Sequence, residues 1–226
     1  MKELVLAYSP YTGDMIAPFD EVFTYGQDAK DVGFDNADAF ILWGGTDIHP
    51  SYYNQKPHRM SGAPSVPSER DVWEWKAMQH CKANNIPIIG VCRGAQFLCA
   101  FAGGSLVQHM VGHQTSHTIV DKKGTVYQST SSHHQMMDVH GTKHELLAWT
   151  PSPLSSVYCG EGYDAPPHIQ KQVSANKFKE PEIVFFPDIK GLAIQGHPEW
   201  AKADSPFVKE CNKYVVELLL TNKYWR

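Results

Sequence analysis

The residues best placed to do chemistry are a cysteine and, about a hundred positions later, a histidine followed closely by a glutamate. Cys92 sits in Gly90-Val91-Cys92-Arg93-Gly94-Ala95-Gln96, after an apolar run and before an apolar, helix-forming stretch. A nucleophile at a sharp strand-to-helix turn needs small residues two positions before and two after it, because larger side chains collide where the backbone folds back. Gly90 and Gly94 occupy those positions. Such a turn holds the sulfur at a helix N-terminus, where unpaired N–H groups favour thiolate, so a lowered Cys92 pKa is expected. The backbone N–H of Arg93 would then face the oxyanion of a tetrahedral intermediate.

A thiol nucleophile needs a base, and the base needs an orienting partner. Ile194-Gln195-Gly196-His197-Pro198-Glu199-Trp200 supplies both. Pro198 fixes φ and holds the chain extended, so His197 and Glu199 lean the same way. Glu199 can accept the Nδ1 proton of His197 and leave Nε2 for the sulfur. The reaction implied is acyl transfer to cysteine, with Cys92, His197 and Glu199 as the catalytic set.

These residues must be carried by a sheet. Short runs rich in Val, Ile, Leu and Phe at 3–9, 38–43, 86–92, 145–149, 182–186 and 191–195 read as strands. The 86–92 run has no polar alternation, which suits the centre of a mostly parallel sheet covered on both faces. Ser68-Glu69-Arg70-Asp71 resembles a capping box with Asp at its fourth position, and Val72, Trp75, Met78 and Cys81 recur at helical spacing. A second helix is expected from Arg93 to Gly103-Gly104. A third starts at Ser205-Pro206 and buries Phe207, Cys211, Tyr214, Val215, Leu218 and Leu219. Strands alternating with helices predict an α/β three-layer sandwich, and without repeats or linkers residues 1–226 read as one domain. The long segment from Thr46 to Ser68 leaves the carboxyl end of a strand, where ligands bind in open α/β sheets.

Bulk composition narrows the partners. A formal net charge of −4 and scattered Lys and Arg argue against nucleic acid or an anionic membrane. No stretch approaches the roughly 20 apolar residues of a membrane span, and the N-terminus lacks a signal-peptide layout. Five cysteines without framework spacing suit reduced thiols in a cytoplasmic setting.

Gly-Val-Cys-Arg-Gly-Ala-Gln with a later His-Pro-Glu-Trp resembles the class I glutamine amidotransferase family, which works by a Cys-His-Glu triad. Further segments are similar to its γ-glutamyl hydrolase branch: Trp43-Gly44-Gly45-Thr46-Asp47-Ile48-His49-Pro50-Ser51-Tyr52-Tyr53, Arg70-Asp71 with Glu74, Gly103 to Gln108, and Ser131-Ser132-His133-His134-Gln135. The resemblance implies a flavodoxin-like fold and cleavage of the γ-amide of glutamine or a γ-glutamyl amine through a thioester. It also implies a second oxyanion donor at Gly44 or Gly45, and a glutamyl pocket lined by Gln96, Ser132, His133, His134 and Gln135. No cofactor is expected. Two positions depart from the family's pattern: Gly196 stands where a bulky residue is usual, and Thr130 near a usual Asn.

Alternatives remain open at this level. An amidotransferase passes ammonia to a second site, yet the chain has no G-x-x-x-x-G-K-[ST] phosphate loop, so a separate synthetase partner would have to supply one. A catalytically silent binding module on the same fold is the reading of another class, and a homodimer is compatible with either. The α/β-hydrolases also place cysteine at an elbow, but their acid lies between nucleophile and histidine in the chain. Finally, His109, His113 and His117 are four apart and would share a helical face as zinc ligands do. Gly112 and the polar Gln114-Thr115-Ser116 speak against a helix, and no CxxC or HExxH accompanies them, so no metal is expected.

Overall fold

A computed structural model describes residues 3–7 and 21–25 by backbone alone, and residues 39–162 and 164–221 in fuller detail. The six apolar runs all become strands. With strands numbered in chain order, they are Glu3–Ala7 (β1), Ala39–Leu42 (β3), Ile88–Val91 (β4), Glu145–Trp149 (β10), Pro181–Phe186 (β12) and Gly191–Ile194 (β13). Positions 8, 9 and 38, at the ends of two predicted runs, lie outside the described residues. The periodicity did not announce Glu21–Tyr25 (β2), Ser105–Val107 (β5), His109–Met110 (β6), His117–Asp121 (β7), Val126–Ser129 (β8), Met136–Asp138 (β9) or Tyr158–Cys159 (β11). Most of these are short or polar, and their pairing is decided by neighbours distant in sequence.

Nine strands form one sheet in the order β2-β1-β3-β4-β13-β12-β10-β7-β8. From β2 to β13 every pairing is parallel, in the 2-1-3-4-5 pattern of flavodoxin-like sheets. From β13 to β8 every pairing is antiparallel. The sheet is thus mixed rather than mostly parallel, because β12 turns straight back onto β13 through the short Pro187–Ile189 turn instead of a helical crossover.

Side chains alternate across the buried strands, and the two sets enter different cores. Ala39, Ile41 and Trp43 join Val91, Ile194, Phe207, Cys211, Tyr214, Val215 and Leu218 on one face. Phe40 and Leu42 join Ala77, Met78, Cys81, Ala95, Phe97 and Leu98 on the other. The first core is covered by Pro206–Tyr214, numbered α4 here, and its π-helical extension Val215–Leu220. The second is covered by Glu69–Ala83 (α1) and Arg93–Phe101 (α2). Helix α3, Pro167–Ser174, shields a smaller cluster with Ile169. Two helical layers therefore enclose the sheet, giving the three layers expected.

Capping fixes the helix ends. Ser68 accepts from the Asp71 N–H at 3.0 Å while Asp71 accepts from the Ser68 N–H at 2.9 Å, so the capping box forms with Asp in the reciprocal role. Ser205 caps α4 by accepting from Val208 N–H at 3.2 Å. Helix α2 stops where Gly103 turns to φ +91°. One detail of α1 differs from expectation: Val72 is exposed, and Asp71 and Glu74 are buried instead. Both carboxylates meet Arg93, so charge pairing sets the buried face of this helix as much as apolar spacing does.

Candidate active site

Strands β3, β4 and β13 are neighbours, parallel and in register, with Leu42 beside Gly90 and Val91 beside Ile194. Their carboxyl ends therefore emerge together. The residues just beyond them are Gly44-Gly45, Cys92 and His197, which sequence alone leaves far apart.

Cys92 adopts φ 51° and ψ −107°, a region a side-chain-bearing residue rarely enters, as a strained elbow requires. Its N–H donates to Ile194 O at 2.8 Å, and its carbonyl accepts from Gln96 N–H at 3.1 Å, so strand and helix both grip the turn. The flanking glycines have no room for anything larger. A Cβ on Gly90 would lie 2.4 Å from Gly94 O, and one on Gly94 would lie 2.2 Å from Leu42 O.

His197 Nδ1 lies 2.7 Å from Glu199 Oε1, with both side chains nearly buried. A carboxylate there selects the tautomer with the proton on Nδ1. The backbone of His197 is held at both ends by Thr130: the His197 N–H donates to Thr130 O at 2.7 Å, and Thr130 Oγ1 donates to His197 O. Trp200 stacks flat on the imidazole, with ring centroids 3.6 Å apart and planes 4° apart. The two departures from the family pattern gain an account here. A Cβ on Gly196 would stand 2.2 Å from Ser129 Oγ and 2.9 Å from Thr130 O, so the close approach of the Ser129-Thr130 backbone excludes a bulky residue. Thr130 provides the clasp that this approach makes possible.

A cleft of about 300 Å³ opens at this point, lined by Gly44, Gly45, Cys92, Ser132, His197, Glu199 and Trp200. A Cβ built on Gly44 would lie 3.0 Å from His197 Cε1 and 3.9 Å from Cys92 Sγ, so glycine leaves the space beside both side chains open. Gly45 has φ +148°, and a Cβ there would strike the Arg70 guanidinium at 2.6 Å. That guanidinium donates to Trp43 O at 2.9 Å and Gly44 O at 3.1 Å, while its Nε donates to Glu74 at 2.8 Å. Arg93, 2% exposed, pairs with Asp71 at 2.5 Å and with Glu74. Two arginines and two carboxylates thus bind the glycine loop, α1 and the elbow into one unit.

The Cys92 thiol is not lowered as the helix-terminus argument expected. Burial pushes it up to about 12, with Glu199 and Asp47 adding to the rise, and the hydrogen bond from Arg93 N–H offsets only part. Desolvation of a thiolate outweighs the partial charge of one helix end. Burial thus favours the neutral thiol at Cys92.

Of the residues expected to line a glutamyl pocket, Ser132 lines the cleft beside Cys92. Gln96 is buried and donates its amide to Gln135 O at 3.2 Å. Gln135 is buried with its amide on Gln108 O at 3.1 Å. His134 pairs with Asp47 at 3.2 Å and so ties the long 46–68 segment to the opposite wall. His133 is buried and turned away, toward Glu182. The histidines four apart do not share a helix, as argued, yet His113 and His117 meet His133 and Glu182 in the interior. His109 stays apart, beside His134 and His58. Sequence reasoning missed the stacking role of Trp200 and the buried charges Glu180 and Glu182. Two glutamates flanking Pro181 at the start of an apolar strand were the available signal.

A mixed α/β sheet flanked by helices, with a cysteine at a strand-to-helix elbow, places the protein among three-layer α/β folds. The Peptidase C26 family matches residues 23–159, and the chain belongs to this class I glutamine amidotransferase-like family. The glutamine amidotransferase-like protein YvdE of Lactococcus lactis subsp. lactis is 34% identical over 171 residues, 72% of this chain and 66% of the relative. A Mycobacterium tuberculosis relative carrying a glutamine amidotransferase name is 35% identical over 91 residues, 38% of this chain and 29% of its own length. A YvdE homolog of Lactococcus lactis subsp. cremoris is 35% identical, and the match spans 43% of this chain and 50% of that protein. The chain thus spans half or less of those last two relatives. Among solved structures, a Thermoplasma acidophilum protein described as one subunit of a GMP synthase superposes with TM-score 0.60 at 13% identity, covering 97% of this chain and 94% of that one. A Thermotoga maritima glutamine amidotransferase gives TM-score 0.59 at 10% identity, covering 88% and 76%. These likenesses establish the fold. Among the described residues no helix is long and apolar enough to cross a membrane.

Proposed function

We propose that this protein hydrolyses the γ-amide bond of glutamine or a γ-glutamyl amine through a glutamyl thioester on Cys92. The observation that carries the reading is the convergence of a strained cysteine elbow, a carboxylate-oriented histidine and two open glycines on one cleft. His197 removes the Cys92 proton as sulfur attacks the γ-carbonyl carbon. The oxyanion forms against the N–H of Arg93 and a glycine N–H of Gly44 or Gly45. Collapse breaks the C–N bond, and His197 returns its proton to the leaving amine. Water, deprotonated by the same imidazole, then attacks the thioester, and glutamate leaves with the thiol restored. Glu199 holds the imidazole tautomer and stabilises the imidazolium. A neutral resting thiol makes this proton transfer part of the attack rather than a prior equilibrium.

The segment from Gly44 to Tyr53 resembles the γ-glutamyl hydrolase branch, and the anchored 46–68 segment beside the cleft offers surface for a leaving amine larger than ammonia. This favours an independent hydrolase over an ammonia donor to a synthetase. The deciding experiment measures kcat/KM of the protein alone on glutamine and on a series of γ-glutamyl amines. Faster turnover of γ-glutamyl amines supports the hydrolase. Cleavage of glutamine alone, accelerated by a co-purifying synthetase, overturns it in favour of an ammonia-donating amidotransferase. No turnover of either, with no labelling of Cys92 by a glutamine-like electrophile, points to a silent binding module.

A further inference from the structure

Away from the cleft, four buried side chains converge without serving the chemistry above. His113, His117, His133 and Glu182 each offer a donor atom, and these atoms all lie within 4.8 Å of one another. His117 Nε2 is 2.9 Å from Glu182 Oε1, His113 Nδ1 is 3.0 Å away, and His133 Nε2 is 3.8 Å away. We propose that these four residues form a closed structural site for a divalent transition metal, zinc in the first instance.

Proton placement is the first argument. His117 Nδ1 lies 3.0 Å from Thr115 O, and His133 Nδ1 lies 2.9 Å from Gln135 O. Carbonyl oxygens only accept, so both Nδ1 atoms carry protons, and each neutral ring presents a bare Nε2 lone pair. His113 Nε2 likewise faces Glu180 Oε2 at 3.0 Å, which leaves its Nδ1 bare. With the rings neutral, three lone pairs then face one carboxylate oxygen, a repulsion that either a metal ion among them or protons on the imidazoles would relieve. His113 Nδ1, His133 Nε2 and Glu182 Oε2 are buried without a hydrogen bond, although polar groups so deep normally have one.

Coordination geometry is the second. Zinc binds imidazole nitrogen and carboxylate oxygen at about 2.0–2.2 Å, which places tetrahedral donors about 3.4 Å apart. The observed spacings around Glu182 Oε1 bracket that value, and side-chain rotations that draw together donors now up to 4.8 Å apart would close the site. Three nitrogens and one oxygen suit zinc better than calcium or magnesium, which prefer all-oxygen shells.

The outer shell is the third. Ligating histidines characteristically hand their other N–H to a carboxylate or carbonyl, which fixes the tautomer. All three do so here. Glu180 is itself immobilised, accepting from Thr150 Oγ1 at 2.8 Å, Leu154 N–H at 2.8 Å, Ser155 N–H at 2.9 Å and Tyr158 Oη at 2.7 Å. Two carboxylates against a divalent ion and neutral imidazoles leave the site uncharged. The proposal departs from the expectation of no metal, which weighed a shared helical face and the lack of a CxxC or HExxH motif. The ligands meet because His117 on β7, Glu182 on β12 and the 130–135 segment are brought together by the antiparallel half of the sheet.

The ion would brace the wall of the cleft. Ser131 Oγ donates to His113 O at 2.6 Å, Gln195 N–H donates to Glu182 O at 2.8 Å, and Ser132 beside His133 lines the cleft. The experiment is metal analysis by plasma mass spectrometry of the full chain produced in zinc-replete medium, followed by chelation and reloading with Co(II). About one zinc per chain and the intense visible bands of tetrahedral Co(II) are expected. Glu180→Gln, which leaves the ligands in place, should weaken zinc affinity about 10- to 100-fold in competition with a chromophoric chelator. The metal-free form should melt lower and recover its midpoint with zinc. Substoichiometric metal with a midpoint indifferent to zinc would overturn the proposal in favour of a protonated histidine–carboxylate cluster, and so would the weak spectrum of six-coordinate Co(II). The wild-type measurements decide the matter even if a variant fails to fold.

Discussion

Replacing Arg93 by methionine tests whether buried charge organises the elbow. The guanidinium is 2% exposed, and its partners Asp71 and Glu74 are 1% and 0% exposed. Methionine fills most of the volume and keeps the backbone N–H at 93, but it strands the carboxylates unequally. Glu74 keeps Arg70 Nε at 2.8 Å. Asp71 keeps the Ser68 N–H at 2.9 Å on Oδ2, while its Oδ1 loses Arg93. Removing one partner of a buried ion pair costs about 3–5 kcal/mol. For a domain of this size that corresponds to a fall in Tm of roughly 6–20 °C. Folding stabilities of about 5–15 kcal/mol leave such a variant folded in the cold. Urea titration followed by tryptophan fluorescence should show the midpoint fall at an unchanged slope. Adding Asp71→Asn, whose amide oxygen still accepts from Ser68, should restore about 0.5–3 kcal/mol through coupling between the sites. If Arg93→Met stays within about 1 kcal/mol of the parent, the carboxylates are not held as charges by Arg93 and the reasoning fails.

Further outcomes follow from the cleft. His197→Asn should cost about as much as loss of Cys92, up to roughly a millionfold in kcat, whereas Glu199→Gln should cost roughly ten- to a hundredfold less; near-normal turnover of the former would exclude His197 as the base. Gly196→Ala should displace the Ser129-Thr130 clasp, destabilising by about 1–3 kcal/mol and slowing turnover about a hundredfold. Ser129→Ala in the same chain should recover part of both, because Ser129 Oγ is the first atom struck; no rescue would show that the backbone contact dominates. With the Cys92 thiol pushed up to about 12, the free protein holds little thiolate at neutrality. Iodoacetamide labelling of Cys92 should therefore rise about tenfold per unit from about pH 7 to 9. A plateau already reached near pH 7 would reveal a preformed thiolate–imidazolium pair.

Local chemistry made part of this protein legible from its sequence. Gly90 announces the elbow because a Cβ there would strike the Gly94 backbone, a constraint set within a few residues, whereas the room at Gly94 is closed by Leu42 O of a distant strand. Ser68 and Ser205 announce helix starts, and the apolar runs announce strands, since each depends on nearest neighbours. His197 and Glu199 are two apart, so their pairing is also local. What tertiary structure decided is everything that joins distant segments. Only the β3-β4-β13 register brings Gly44, Cys92 and His197 to one edge, and only full burial raises a thiol that a helix terminus alone would lower. Asp71 and Glu74 look like solvated charges on α1 until Arg93 arrives beneath them. His113, His117, His133 and Glu182 span some 70 positions of chain, and no spacing rule links them. Their meeting depends on antiparallel strands whose order is set by which faces must be covered, a property of the whole sheet rather than of any one segment.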